Sequence, residues 1–165
     1  MLQRSRIAAD YRLGVSDPPL RIATTLSRHE PTADAAATTG LGIHLDWYLH
    51  HPEPLAPRGG APASPEHRLT TFRVPLAWST FPAPPHQDLP VVLLPPHRMR
   101  YLSFSGLLSD GRGKVSVSHQ GMAEVLRWSS TKVQVRVDGH LLTVEQGRLL
   151  GKRERELNCN RDQMA

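Results

Sequence analysis

Histidine and aspartate alternate in the run Ile43-His44-Leu45-Asp46-Trp47-Tyr48-Leu49. On an extended strand, residues two apart project from the same face. An imidazole nitrogen and a carboxylate would then enter one pocket. This mixed N/O donor pair suits manganese, zinc or iron better than calcium. The competing reading is a His–Asp hydrogen-bonded pair on a strand. His29 precedes Glu30-Pro31 at the end of an earlier strand and offers a third ligand; an exposed loop histidine is the alternative there.

Further along, Pro95-Pro96-His97-Arg98-Met99-Arg100-Tyr101 supplies another imidazole and a phenol. Histidine can donate a proton or hold a phosphate oxygen, and a tyrosine hydroxyl can do the latter. Tyr101 also reads as a half-buried sheet tyrosine. The two prolines predict a turn at His97, with a strand beginning near Met99. His50 keeps the parity of His44 and is a reserve ligand, whereas His51, His67, His86, His119 and His140 read as surface residues. The glycine-rich run Ser109-Asp110-Gly111-Arg112-Gly113-Lys114 lacks the spacing of a phosphate loop. It reads as a hairpin turn whose Arg112 and Lys114 either reach a phosphate backbone or stay solvated.

The elements that must position these groups are short. The chain has 165 residues, enough for one domain, with 39% hydrophobic and only 5% aromatic residues. Fifteen prolines and 12 glycines favour turns over long helices. Residues 1–20 read as a basic N-terminal extension, and Arg21–Leu26 as a first strand. Pro31–Gly42 reads as a flexible loop, residues 43–49 as a strand, and Pro52–Pro65 as a proline-rich linker. Leu69–Val74 is a further strand, followed by proline-rich Pro75–Pro90. Val91–Leu94, Met99–Phe104, Lys114–Ser118, Ala123–Trp128, Lys132–Val137 and His140–Glu145 are short β-like runs. Turn signals separate them at Ser109-Asp110-Gly111, Gln120-Gly121, Ser129-Ser130 and Asp138-Gly139. The domain spans 21–146, and the charged segment 147–165 is expected to be a short helical or disordered C-terminal tail. The fold class is therefore all-β: a small closed or partly open β-barrel with proline-rich loops.

Charge and composition narrow the partners. The net charge is +5, mostly from arginine, which favours phosphate-bearing partners such as nucleic acid. The single cysteine, Cys159, excludes an intramolecular disulfide and a cysteine-based zinc site. No apolar run has signal-peptide or membrane-span length, so a soluble, cytoplasmic protein without membrane contact is expected.

These motifs, in this order, resemble the 3′-phosphoesterase domain of bacterial DNA ligase D and its stand-alone relatives. The resemblance rests on His44-Leu45-Asp46, then Leu69-Thr70-Thr71-Phe72-Arg73-Val74-Pro75, then His97 to Tyr101, Phe104-Ser105-Gly106 and Gly111-Arg112-Gly113-Lys114-Val115. It covers roughly Arg21 to Val144. It implies a small β-barrel that removes phosphates or ribonucleotides from DNA 3′ ends, with manganese preferred. By the same resemblance, His29, His44 and Asp46 hold the metal, with Pro31–Gly42 an insertion between them. His97 and Tyr101 contact the phosphate and act in catalysis, and Arg112 is a further phosphate-binding candidate. The family's arginine position, two residues after the aspartate, holds Tyr48 here. The implied partners are DNA or RNA–DNA 3′ ends and a DNA ligase or polymerase encoded separately, met by a monomer.

Two alternatives stand beside this reading. A barrel that has lost turnover would only dock on DNA ends or a repair partner, for which Tyr48 in place of arginine is the motive. An unrelated barrel would use His44 and Asp46 to hold metal for small-molecule chemistry.

Overall fold

The computed structural model describes residues 18–60, 63–84 and 87–154. It is mostly β, a nearly closed antiparallel barrel-like sheet, as the strand pattern predicts. In chain order the strands are β1 (Leu20–Glu30), β2 (His44–Leu49), β3 (His67–Val74), β4 (Leu89–Pro90), β5 (Val92–Arg98), β6 (Gly106–Leu107), β7 (Lys114–Trp128), β8 (Lys132–Val137), β9 (His140–Glu145) and β10 (Arg148–Arg153). They pair in the order β4-β10-β9-β8-β7-β1-β2-β3-β5, with β6 added beside β7. The two ends of that path, β4 and β5, are consecutive in sequence and joined by Val91 alone. The buried Val91 donates its N–H to the Gly147 carbonyl at 2.9 Å. No helix among the described residues is long and apolar enough to cross a membrane.

Parity divides the sheet around β2 into two faces. Leu45, Trp47 and Leu49 point into the core, with Leu26 from β1 and Phe72 and Val74 from β3. Trp47 lies at the centre of an aromatic cluster, edge-on to Trp78 with centroids 5.2 Å apart and tilted against Phe72 and Phe81. Its indole N–H donates to Thr24 Oγ1 at 2.8 Å, and that hydroxyl donates to the Tyr48 carbonyl at 2.9 Å. His44, Asp46 and Tyr48 alternate with these residues and face away from the core, yet all six residues of β2 are buried. The segment 95–112 covers that second face.

Several sequence expectations are corrected. Gln120-Gly121 is no turn: β7 runs unbroken for 15 residues. It pairs along the whole of β1, and the irregularity is absorbed as a bulge at Leu26/Ser27. Gly121 instead makes room for the His119 imidazole, whose Cε1 lies 3.1 Å from where a Cβ would stand. The turn expected at Pro95-Pro96 is also absent, because β5 continues through His97 to Arg98. β5 is an edge of the hydrogen-bonded path, where proline is tolerated, and the register against β3 shifts between Leu69 and Thr71 to accommodate the pair. Met99–Leu102 is consequently a 3-10 turn and not the start of a strand.

The loop expected at Pro31–Gly42 contains a seven-residue helix, α1 (Ala33–Thr39). It is capped by Thr32 Oγ1, which accepts from the Ala35 N–H, and ended by Gly40 at φ 71°. The charged segment from Gly147 begins as β10, whose Leu149 is buried against β9. Gln146 and Gly147 adopt φ 52° and 71°, a two-residue hairpin turn equivalent to Asp138-Gly139 at 45° and 75°. β1 starts at Leu20, inside the expected extension; residues 1–17 and 155–165 lie outside the described residues.

His51 is buried and not on the surface. It stacks on Trp128 with ring centroids 4.1 Å apart and planes 5° from parallel. Its Nδ1 accepts from the Glu53 N–H at 2.9 Å, so Nε2 carries the proton and is buried without a partner. Burial lowers the imidazole's proton affinity, with Glu53 opposing the effect. A histidine held neutral in the fold is protonated first in the unfolded chain, near pH 6.5. Its contribution to stability is therefore complete above that pH and is lost as pH falls towards its depressed folded value. Thermal melts of His51→Gln should accordingly show a smaller drop between pH 7.5 and 5 than wild type, leaving only the share from His44, which burial shifts the same way. An equal drop in both proteins would refute this assignment.

Candidate metal and anion site

The polar face of β1, β2 and β3 is built by register. His29 stands opposite His44, and Ser27 opposite Asp46, across β1 and β2. Asp46 and Tyr48 stand opposite Arg73 and Thr71 on β3. One ligand atom from each of His29, His44 and Asp46 lies within 4.8 Å of the others, a group that could hold a metal ion. Its three members are the residues whose types suggested metal ligation in the sequence.

Hydrogen bonding fixes what those atoms offer. His44 Nδ1 lies 2.9 Å from the Gly42 carbonyl, and His29 Nε2 lies 3.2 Å from the Arg112 carbonyl. A carbonyl only accepts, so each ring spends its N–H there. In the neutral rings, His29 Nδ1 and His44 Nε2 then present lone pairs to each other at 3.1 Å. Asp46 Oδ2 stands 3.8 Å from His44 Nε2, and its Oδ1 is buried with no partner. Burial keeps the His44 proton affinity below its usual value, and the positive charges of Arg73 and His29 act in the same direction against Asp46 and the Gly42 carbonyl. Three acceptors thus converge, with backbone carbonyls fixing ring orientation in the manner of metal-site second partners.

Beside this group opens a cavity of about 810 Å³. The sequence-predicted His97, Tyr101 and Arg112 all line it, together with Asp46, Tyr48 and His29. Tyr48 stacks against Tyr101 with centroids 6.0 Å apart and lies 5.7 Å from the His97 ring. Burial, then the charges of Asp46 and Tyr101, push the Tyr48 hydroxyl well above its ordinary range, so it remains a neutral donor. His97 bonds the Pro95 carbonyl through Nδ1 at 2.8 Å, which leaves Nε2 available. Arg112 folds back on Ser109, donating to its carbonyl at 3.0 Å and to its hydroxyl at 3.1 Å. Lys114, its partner in the glycine-rich run, instead pairs with Glu30 at 3.2 Å.

Sequence reasoning missed His67, read as a surface residue, which lines the cavity. Its Nε2 accepts from Arg98 Nε at 3.4 Å, and its Nδ1 meets Ser64 Oγ at 2.9 Å. No local signal marks it, because the bulged β3–β5 register decides where it points. Arg100 also lines the cavity, with its guanidinium 4.2 Å from the Phe104 ring centroid. His50, the reserve ligand, is outside both the metal-competent group and the cavity lining. His86 lies outside the described residues. The lining carries Arg98, Arg100 and Arg112 against Asp46 and Asp110, a cationic bias suited to an anion.

No protein-family model matches the chain, and no curated protein matches it.

Two measurements check this geometry. Titration with manganese, followed by the loss of the free-ion electron paramagnetic signal, should show binding that Asp46→Ala and His44→Ala remove; unchanged binding in both would dismiss the site. Gly113 holds φ +108°, and a Cβ there would lie 2.1 Å from the Glu30 carbonyl oxygen. Gly113→Ala should therefore lose about 1–3 kcal/mol of stability from backbone strain. It should also weaken manganese binding, because the displaced turn carries the Arg112 carbonyl that orients His29. A Gly113→Ala protein with wild-type melting and metal affinity would contradict both expectations.

Proposed function

We propose that this protein is a metal-dependent phosphoesterase acting on nucleic-acid 3′ ends, removing a 3′-phosphate or a 3′-terminal ribonucleotide, with manganese as its preferred ion. The observation that carries the reading is the convergence of three acceptors, from His29, His44 and Asp46, at the edge of a cationic cavity. Their mixed N/O character and the unpartnered Asp46 Oδ1 fit a divalent ion of the manganese–zinc class. Such an ion, when bound, supplies Lewis-acid charge against a phosphoryl oxygen and acidifies a water molecule.

The chain's own residues carry the remaining work. As the imidazolium, with Nδ1–H held by the Pro95 carbonyl, His97 gives its Nε2 proton to the leaving oxygen or stabilises charge on the phosphoryl group. Tyr101 and the permanently protonated Tyr48 donate hydroxyl hydrogen bonds to phosphate oxygens and orient them. The arginines at the rim hold the nucleic-acid backbone by charge and without reading sequence. Leu107, the most exposed large apolar residue among the described residues at 80% exposure, lies on the cavity lining, where a terminal base can rest against it. A separately encoded ligase or polymerase would then use the cleaned 3′-hydroxyl.

Purified protein with manganese should release phosphate, or a nucleoside, from a primer–template carrying a 3′-phosphate or a single 3′-ribonucleotide. His44→Ala should lower that rate by roughly 100-fold or more, the scale of losing one charge-stabilising group. Absence of release, or release untouched by His44→Ala, would reject hydrolysis. Salt-sensitive DNA binding without release would point to a docking module, in line with a phenol where the resembled family has arginine.

A further inference from the structure

We propose that Arg73 supplies the guanidinium that grips the phosphoryl oxygens in this site, the contact that the phenol at position 48 cannot make. The proposal rests on the phosphoesterase reading above and adds a binding residue to it. It starts from one cross-strand row. Ser27 stands opposite Asp46, and Asp46 opposite Arg73. Each has a buried polar atom without a partner: Ser27 Oγ, Asp46 Oδ1 and Arg73 Nε. Three of the buried side-chain polar atoms without a hydrogen-bond partner among the described residues fall in this single row. Buried donors and acceptors are costly to leave unmade. A donor, an acceptor and a hydroxyl left open side by side therefore mark the place of an absent polar group.

Asp46 and Arg73 do not satisfy one another. Directly opposed cross-strand residues have Cβ atoms about 5 Å apart, yet no hydrogen bond or ion pair joins these two among the described residues. The Asp46 carboxylate is turned towards His44, with Oδ2 3.8 Å from Nε2.

Reach and availability both favour Arg73. Two residues along a strand span about 7 Å, so position 73 stands no farther from Asp46 than position 48 does. Arg73 adjoins the cavity through Asp46, and the guanidiniums that line the cavity itself are occupied: Arg112 by Ser109, Arg98 by His67 and Arg100 by Phe104. Guanidinium is permanently charged and presents a fork that matches two phosphate oxygens.

The test is calorimetric titration of the manganese-loaded protein with inorganic phosphate. Arg73→Gln should weaken phosphate binding about tenfold or more, the scale of a charge-assisted hydrogen bond. Manganese affinity, followed separately by paramagnetic resonance, should not fall, since the substitution removes a positive charge from beside the cation. Arg73→Lys keeps the charge without the fork and should fall between the two. Phosphate binding by Arg73→Gln as tight as wild type would overturn the proposal. So would parallel losses of phosphate and manganese affinity, which mark a structural role. If Arg73→Gln does not fold, Arg73→Lys decides alone, and phosphate affinity equal to wild type overturns the assignment. Wild-type protein that binds manganese but no phosphate would remove the phosphoesterase reading itself, a result distinct from a normal wild type with an indifferent Arg73.

Discussion

The antiparallel register of β1 against β2 sets His29 beside His44 and Ser27 beside Asp46. Side chains alternate strictly along a strand, so a slip of one residue would send Trp47 to the outer face and Asp46 into the core. The register is protected because both faces of β2 are buried. On the inner side, Trp47 is locked among Trp78, Phe81 and Phe72 and tethered to Thr24. On the outer side, the segment 95–112 lies over the polar row. Core packing and the placement of the three acceptors are thus one constraint seen from two sides of a sheet.

That coupling explains which features were legible in the sequence. The alternation in His44-Leu45-Asp46-Trp47 is local, so strand, parity and the shared pocket of His44 and Asp46 could be read directly. Asp138-Gly139 could be read because its turn chemistry is local too. His29 was legible as a residue type, but its arrival beside His44 depends on strand pairing across α1. Gly121 misled because glycine signals turns, whereas here it serves a neighbouring imidazole inside a long strand. Gln146-Gly147 gives a weaker hairpin signal than Asp-Gly, and β10 was lost with it. His67 and Arg73 owe their places to register on β3, which no short window contains.

The electrostatic character of the site follows from how its histidines are held. Each imidazole is fixed by a backbone carbonyl at one nitrogen, and the other nitrogen is turned towards the second ring and a carboxylate. Partial burial then makes neutrality the resting condition at His44. The cationic lining of the neighbouring cavity attracts negative charge. One arrangement therefore keeps lone pairs open for a cation and draws an anion next to it.

The junction at Val91 has a consequence beyond fold closure. An open sheet of this length would present two rows of unpaired amides, and such rows recruit strands from other chains. Here the two boundary strands are successive pieces of one backbone, separated by a single buried residue. One of them is only two residues long, and the other carries adjacent prolines. The barrel seam is thus bounded by a two-residue strand and a proline-bearing one, both of which disfavour the addition of a further strand.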